Sequence, residues 1–116
     1  MNEKELEGIV LNWLKGKGIF CWKAESQGTF DPTRGIYRKN PRKLKGVSDI
    51  IGILSPSGKM LAIELKKPVK NPRTQEQLRK IARPEQISFV DNVNENGGVA
   101  FFADCLETVI KHLWAH

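Results

Sequence analysis

One hundred and sixteen residues at 13.1 kDa, 40% apolar with ten glycines, make one ordinary folded domain and exclude a two-domain, cofactor-carrying enzyme. No apolar run approaches the roughly 20 residues of a membrane span, MNEKELEG lacks a basic stretch followed by an apolar one, and Cys21 and Cys105 lie far apart, so the chain reads as cytoplasmic, membrane-free and carrying reduced thiols. Nineteen basic against thirteen acidic residues give +6, and the excess is concentrated: residues 32–83 hold 14 Lys or Arg and three acids, a segment that seeks a polyanion.

Asn2 and Glu5 form a capping box ahead of Leu6, Ile9, Val10, Trp13 and Leu14 at helical spacing, which predicts a first helix to about Lys15. Gly16 and Gly18 stop it, and 19–22 is a short strand. From Ser26 to Gly46 there is no period, three glycines, two prolines and six basic residues; this reads as a loop, with Phe30 and Tyr37 as stacking faces among phosphate-seeking Arg34, Arg38, Lys39, Arg42, Lys43 and Lys45. Residues 47–54 and 60–66 are β-rich runs joined by a type I turn on Ser55-Pro56-Ser57-Gly58, hence a hairpin. A short helical piece over 75–81 follows, then a helix starting at Pro84 with Ile87, Phe89, Val90 and Val93 as its apolar stripe. Asn96-Gly97-Gly98 ends that helix before a strand over 99–103. Asp104 and Glu107 form a second capping box for a last helix, on which His112 and His116 are surface residues. The order helix, strand, strand, strand, helix, strand, helix predicts an α/β domain with a central mixed sheet flanked by helices.

Charged residues interrupt the most apolar strand. In Met60-Leu61-Ala62-Ile63-Glu64-Leu65-Lys66, Glu64 and Lys66 are i and i+2 and leave the same face of a strand that is covered on both sides. Burying such charges costs several kcal/mol per ion unless something compensates them. On the partner strand Asp49 opens an apolar run. Pairing of Ser55 with Gly58 puts Asp49 opposite Glu64, whereas a bulge at Gly58 puts it opposite Leu65. Two convergent carboxylates suit Mg²⁺ or Mn²⁺, which would support phosphodiester hydrolysis, with Lys66 orienting water or neutralising phosphate. A plain Glu64–Lys66 ion pair is the alternative.

Asp49 followed by Glu64-Leu65-Lys66 resembles the PD-(D/E)XK nuclease superfamily, and within it the stand-alone VRR-NUC type of phage and bacterial genomes. Gly46-Val47-Ser48-Asp49-Ile50-Ile51-Gly52, Ala62-Ile63-Glu64-Leu65-Lys66, Glu5-Leu6 on helix one and Gln86 fall in that family's order. The resemblance covers nearly all of residues 1–116. It implies a restriction-endonuclease-like αβββαβ core, metal ligands at Asp49, Glu64 and Leu65, and catalytic support from Lys66, Glu5 and Gln86. Glu7 competes with Glu5, and Gln75 or Gln77 with Gln86, because the basic segment 68–83 interrupts the path to the glutamine helix.

Together these features predict a Mg²⁺- or Mn²⁺-dependent DNA endonuclease in which 34–45 and 66–83, including Lys67, Lys70 and Arg73, hold the DNA backbone. Phosphate contacts carry no base information and no recognition helix is evident, so selection by DNA shape is expected. Relatives of this type resemble homodimeric enzymes acting on four-way (Holliday) junctions in bacterial or phage-infected cells, which implies branched DNA and a second copy as partners. The rivals are a non-catalytic nucleic-acid-binding module and a nuclease subunit that needs a different partner.

Overall fold

The computed structural model describes residues 1–24, 29–31, 33, 35–38 and 45–114. Helix α1 (Glu3–Gly16) begins as the capping box dictates: Glu5 N donates to Asn2 Oδ1 at 2.8 Å and Asn2 N to Glu5 Oε1 at 3.2 Å. Strand β1 (Phe20–Lys23) follows, then β2 (Thr29–Asp31) and β3 (Ile36–Arg38), which pair antiparallel with Phe30 opposite Tyr37. The expected loop therefore contains a two-stranded ribbon. Three-residue strands are too short for alternation to show in a sequence, although their Thr, Phe, Ile and Tyr favour the pleated backbone.

The main sheet runs β1, β4 (Ile50–Ile53), β5 (Met60–Leu65), β6 (Val99–Ala103); β1 and β5 are antiparallel to β4, and β6 is parallel to β5. The expected mixed α/β architecture is present. The β4–β5 register pairs Ile50 with Ile63 and Ile53 with Met60, so one further step puts Asp49 opposite Glu64. The turn is not the expected one: Gly58 N donates to Leu54 O, one residue earlier than a type I turn on Ser55 requires, Leu54 N donates to Lys59 O, and Ser55–Pro56 is cis.

Two helical layers cover the sheet. On one face Leu6, Val10 and Leu14 of α1 and Val109 of α4 (Leu106–Trp114) pack on Ile50, Ile63, Leu65 and Phe101. On the other, Leu78 of α2 (Gln75–Ile81) and Val90 and Val93 of α3 (Pro84–Glu95) pack on Ile51, Ala62 and Phe102. Each large apolar side chain buried this way contributes about 1.5–3 kcal/mol. Helices α2 and α3 span the crossover that parallel β5 and β6 require. The outer edge of β6 is sealed by side-chain amides. Asn94 pairs with both main-chain groups of Ala100 (2.8 and 2.9 Å), and Gln75 with both of Phe102 (2.6 and 2.9 Å).

Three C-terminal expectations fail or lie out of reach. Asp104 caps nothing: its Oδ2 accepts from the Arg73 main chain (3.1 Å) and Nε (2.9 Å), and its Oδ1 has no partner, because a buried carboxylate takes the guanidinium in preference to a helix amide. His112 is no free surface residue; its ring stacks on Phe101 with centroids 4.2 Å apart, and Nδ1 lies 2.9 Å from Thr108 O. His116 lies outside the described residues. Cys21 and Cys105 are free thiols, Cys21 buried. Among the described residues no helix is long and apolar enough to cross a membrane.

Candidate metal and phosphate site

The open end of β4 and the far end of β5 meet at a group of polar side chains. Glu64, 4% exposed, follows Ala62 onto the face covered by α3. Gln86 of α3 donates Nε2–H to Glu64 Oε1 at 2.7 Å, and its Oε1 accepts from Lys66 Nζ at 2.9 Å and from Arg83 N at 3.0 Å. The lysine ammonium itself is 4.0 Å from Glu64 Oε1. Asp49 Oδ2 accepts from the Leu65 amide at 2.8 Å, which ties it to the strand that carries Glu64.

The approach of α3 depends on Gly46. It sits at φ +79°, and a Cβ there would run into the carbonyl of Glu85, next to Gln86. Only glycine lets the loop before Asp49 cross the start of α3 this closely. Strand pairing begins at Ile50, not at the expected Val47.

Charge does not balance in this group. Burial, reinforced by the charge of Asp49, pushes the Glu64 carboxyl up to about 8 against the pull of Lys66. Burial also raises Asp49, outweighing the Leu65 amide. Glu64 Oε2 is buried with no hydrogen-bond partner. An orphaned carboxylate oxygen, a second carboxylate opposite it and a single lysine are what a hard cation with oxygen ligands would satisfy, so these residues fit Mg²⁺ or Mn²⁺. Among the described residues no three His, Cys, Asp or Glu side chains stand close enough to cage an ion alone; main-chain oxygen, as at Leu65, and water would complete the shell.

Asp49, Glu64, Lys66 and Gln86 are thus brought together, and Glu5 is not: both its polar ends are spent in the α1 capping box, and it is exposed. The helix-one carboxylates that act on the group are Glu7 and Glu3. Glu7 raises Asp49 by its charge while pairing with Lys23 at 3.3 Å, and Glu3 raises Glu64. Glu3 is itself raised, first by partial desolvation and then by Asp49. A signal for both was present, since the buried stripe Leu14, Val10 continued by three and four residues reaches Glu7 and Glu3. Gln75 and Gln77 are engaged elsewhere, at Phe102 and in the α2 capping box.

The expected phosphate-binding residues divide. Arg34, Lys39, Arg42 and Lys43 lie outside the described residues, and Arg38 ends β3. Lys45, Lys67 and Lys70 are exposed. Arg73 is not available: it grips Asp104 through Nε and the Lys67 carbonyl through Nη2 at 2.6 Å, so its charge is consumed by a buried carboxylate. The sequence matches no protein-family model, and no curated protein matches it.

Proposed function

We propose that this chain is a Mg²⁺- or Mn²⁺-dependent DNA endonuclease, a single VRR-NUC-like domain of the PD-(D/E)XK type that hydrolyses phosphodiester bonds. One observation carries the proposal: Glu64, buried on a central strand with an unpartnered oxygen, has Asp49 opposite it and a lysine and glutamine within reach. Asp49, Glu64 and main-chain Leu65 would hold a divalent cation, which would supply the positive charge the group lacks and offset charge gathering on the phosphate. Lys66 orients the attacking water and neutralises a phosphate oxygen. Gln86 holds Glu64 and Lys66 in fixed relation, and the Leu65 amide holds Asp49. The water oxygen bonds to phosphorus as the bond to the leaving oxygen breaks; the water's proton passes to solvent, and the leaving oxygen takes one. Glu7 and Glu3 replace Glu5 as the supporting carboxylates of helix one.

Selection by DNA shape belongs to the same proposal, with branched DNA as substrate and a homodimer placing two sites on opposed strands of a four-way junction. The free thiols fit work inside a cell. Incubation of four-way, flap and linear duplex DNA with Mg²⁺ tests it. Cleavage strongest on the junction, lost in Glu64→Ala and Lys66→Ala with DNA binding retained, is expected. Binding without cleavage under any divalent cation would leave a non-catalytic binding module.

A further inference from the structure

Helices α2 and α3 cover β5 and β6, and among the described residues no helix covers the same sheet face over β1 and β4. Phe20, Trp22, Ile53 and Met60 lie there, 68, 42, 43 and 38% exposed. Phe20, Ile53 and Met60 are cross-strand neighbours and so share a face, and Trp22 joins it through Ile51. Cys21, between the two aromatics, points to the opposite, buried side. The rings of Phe20 and Trp22 stand 5.4 Å apart at 52°.

This bare strip leads to the metal and phosphate site. Trp22, Ile51 and Ala62 form one rung of the sheet, and Glu64 is the next residue along that face of β5. Asp49 lies two residues before Ile51, a step of about 6.8 Å, and the ladder reaches it through Ala24 N donating to Asp49 O at 2.9 Å. Beyond Met60 the strip opens into a groove of about 320 Å³ between β5 and α3, bordered by Lys45, Glu85 and Phe89. Exposed Lys59 adjoins Met60.

Resting on the nuclease reading, we infer that Phe20 and Trp22 form a base-stacking platform for an unpaired nucleic-acid segment that runs along the bare face to Asp49 and Glu64. The substrate class is then branched DNA in which nucleotides beside the scissile phosphate unpair as the branch point opens onto the strip. Two points favour this occupant over a second copy of the chain. Lys45 and Lys59 stand at the strip, outnumbering Glu85, on a chain of net charge +6, which attracts a polyanion there and disfavours a like-charged copy on this face. Exposed aromatic rings one rung (Trp22) and two rungs (Phe20) from the site match the base-to-phosphate arrangement of a single strand, and bases in a duplex hide their faces from such rings.

The test needs no cleavage. In Trp13→Phe/Trp114→Phe, Trp22 is the remaining tryptophan and reports on its own surface. Without divalent cation, an oligothymidylate of about 12 nucleotides should quench its fluorescence, and a blunt duplex should not. In the full chain, Trp22→Ala should weaken oligothymidylate binding roughly five- to hundred-fold, the equivalent of about 1–3 kcal/mol per stacked base; Trp22→Phe should recover most of it, and duplex binding should not change. Equal quenching by duplex, or unaltered binding by Trp22→Ala, overturns the platform. So does a Trp22 signal that changes with protein concentration alone, which would mean a second copy covers the strip. Quenching by a protein that never cuts DNA would sink the nuclease reading and keep the platform; cutting with Trp22→Ala unaffected does the reverse.

Discussion

Two buried carboxylates end neighbouring strands, and they differ in how their charge is met. Asp104, 1% exposed just after β6, has one guanidinium to itself at 2.9 Å, and that arginine also closes on the Lys67 carbonyl. Glu64, 4% exposed near the end of β5, shares one ammonium at 4.0 Å with Asp49 and with the field of Glu3 and Glu7. Both have one oxygen without a partner. A one-to-one pair makes a clamp that fixes the connection between β5 and α2. A surplus of carboxylate over cation makes a place where a further positive charge is stabilising.

The largest expected effect separates the two in activity. Glu64→Ala or Lys66→Ala should lower DNA cleavage by about 10²–10³-fold or more, measured as initial rates on branched DNA, while Asp104→Asn should leave the rate of the folded protein within a few-fold of the parent. Stability should separate them in the other sense. Arg73→Ala strands a buried carboxylate and should cost about 3–5 kcal/mol in urea unfolding, with the salt dependence of DNA binding unchanged. A salt slope lowered by about one would instead return Arg73 to the phosphate-binding set.

Why one carboxylate is legible in the sequence and the other is not follows from their neighbours. Glu64 and Lys66 stand i, i+2 in an apolar run whose strand is certain, so their shared face and partner strand follow from pleating, and the hairpin register leaves Asp49 only two positions. Asp104 lies three residues before Glu107, so it mimics a capping box; its actual partner is 31 residues earlier on a segment without period, and nothing local announces it. Glu5 enters the site only through the family's order; its capping box explains it entirely, and the buried stripe of the same helix points instead to Glu3 and Glu7. The β2–β3 ribbon escaped because three-residue strands have no readable alternation.

Gly46→Ala should bring the two regions closer in kind, because it disturbs the site through the backbone alone. The positive φ and the Glu85 carbonyl together predict a loss of about 2 kcal/mol or more, with cleavage falling as α3 and Gln86 shift. Thermal melts and cleavage rates should fall together.

In the cation-free protein, the raised Glu64 carboxyl binds its proton more tightly folded than unfolded. Its contribution is therefore full below the ordinary carboxylate range and is lost as pH rises toward about 8. Unfolding free energy should drop by up to about 1.4 kcal/mol per pH unit across that window, and Glu64→Gln should flatten the slope. An unchanged slope in Glu64→Gln would place the imbalance elsewhere. The smallest effect belongs to the matched amides at the β6 edge. Asn94→Ala or Gln75→Ala should each cost about 1 kcal/mol in urea melts and leave cleavage unchanged.

Titration of the cation-free protein with Mn²⁺, followed by electron paramagnetic resonance or calorimetry, asks most directly whether the Asp49–Glu64 group is short of positive charge. Saturable binding by the parent and by Asp104→Asn, abolished in Asp49→Asn and Glu64→Gln, is the result expected. No binding by the parent, or equal binding by Glu64→Gln, would contradict it.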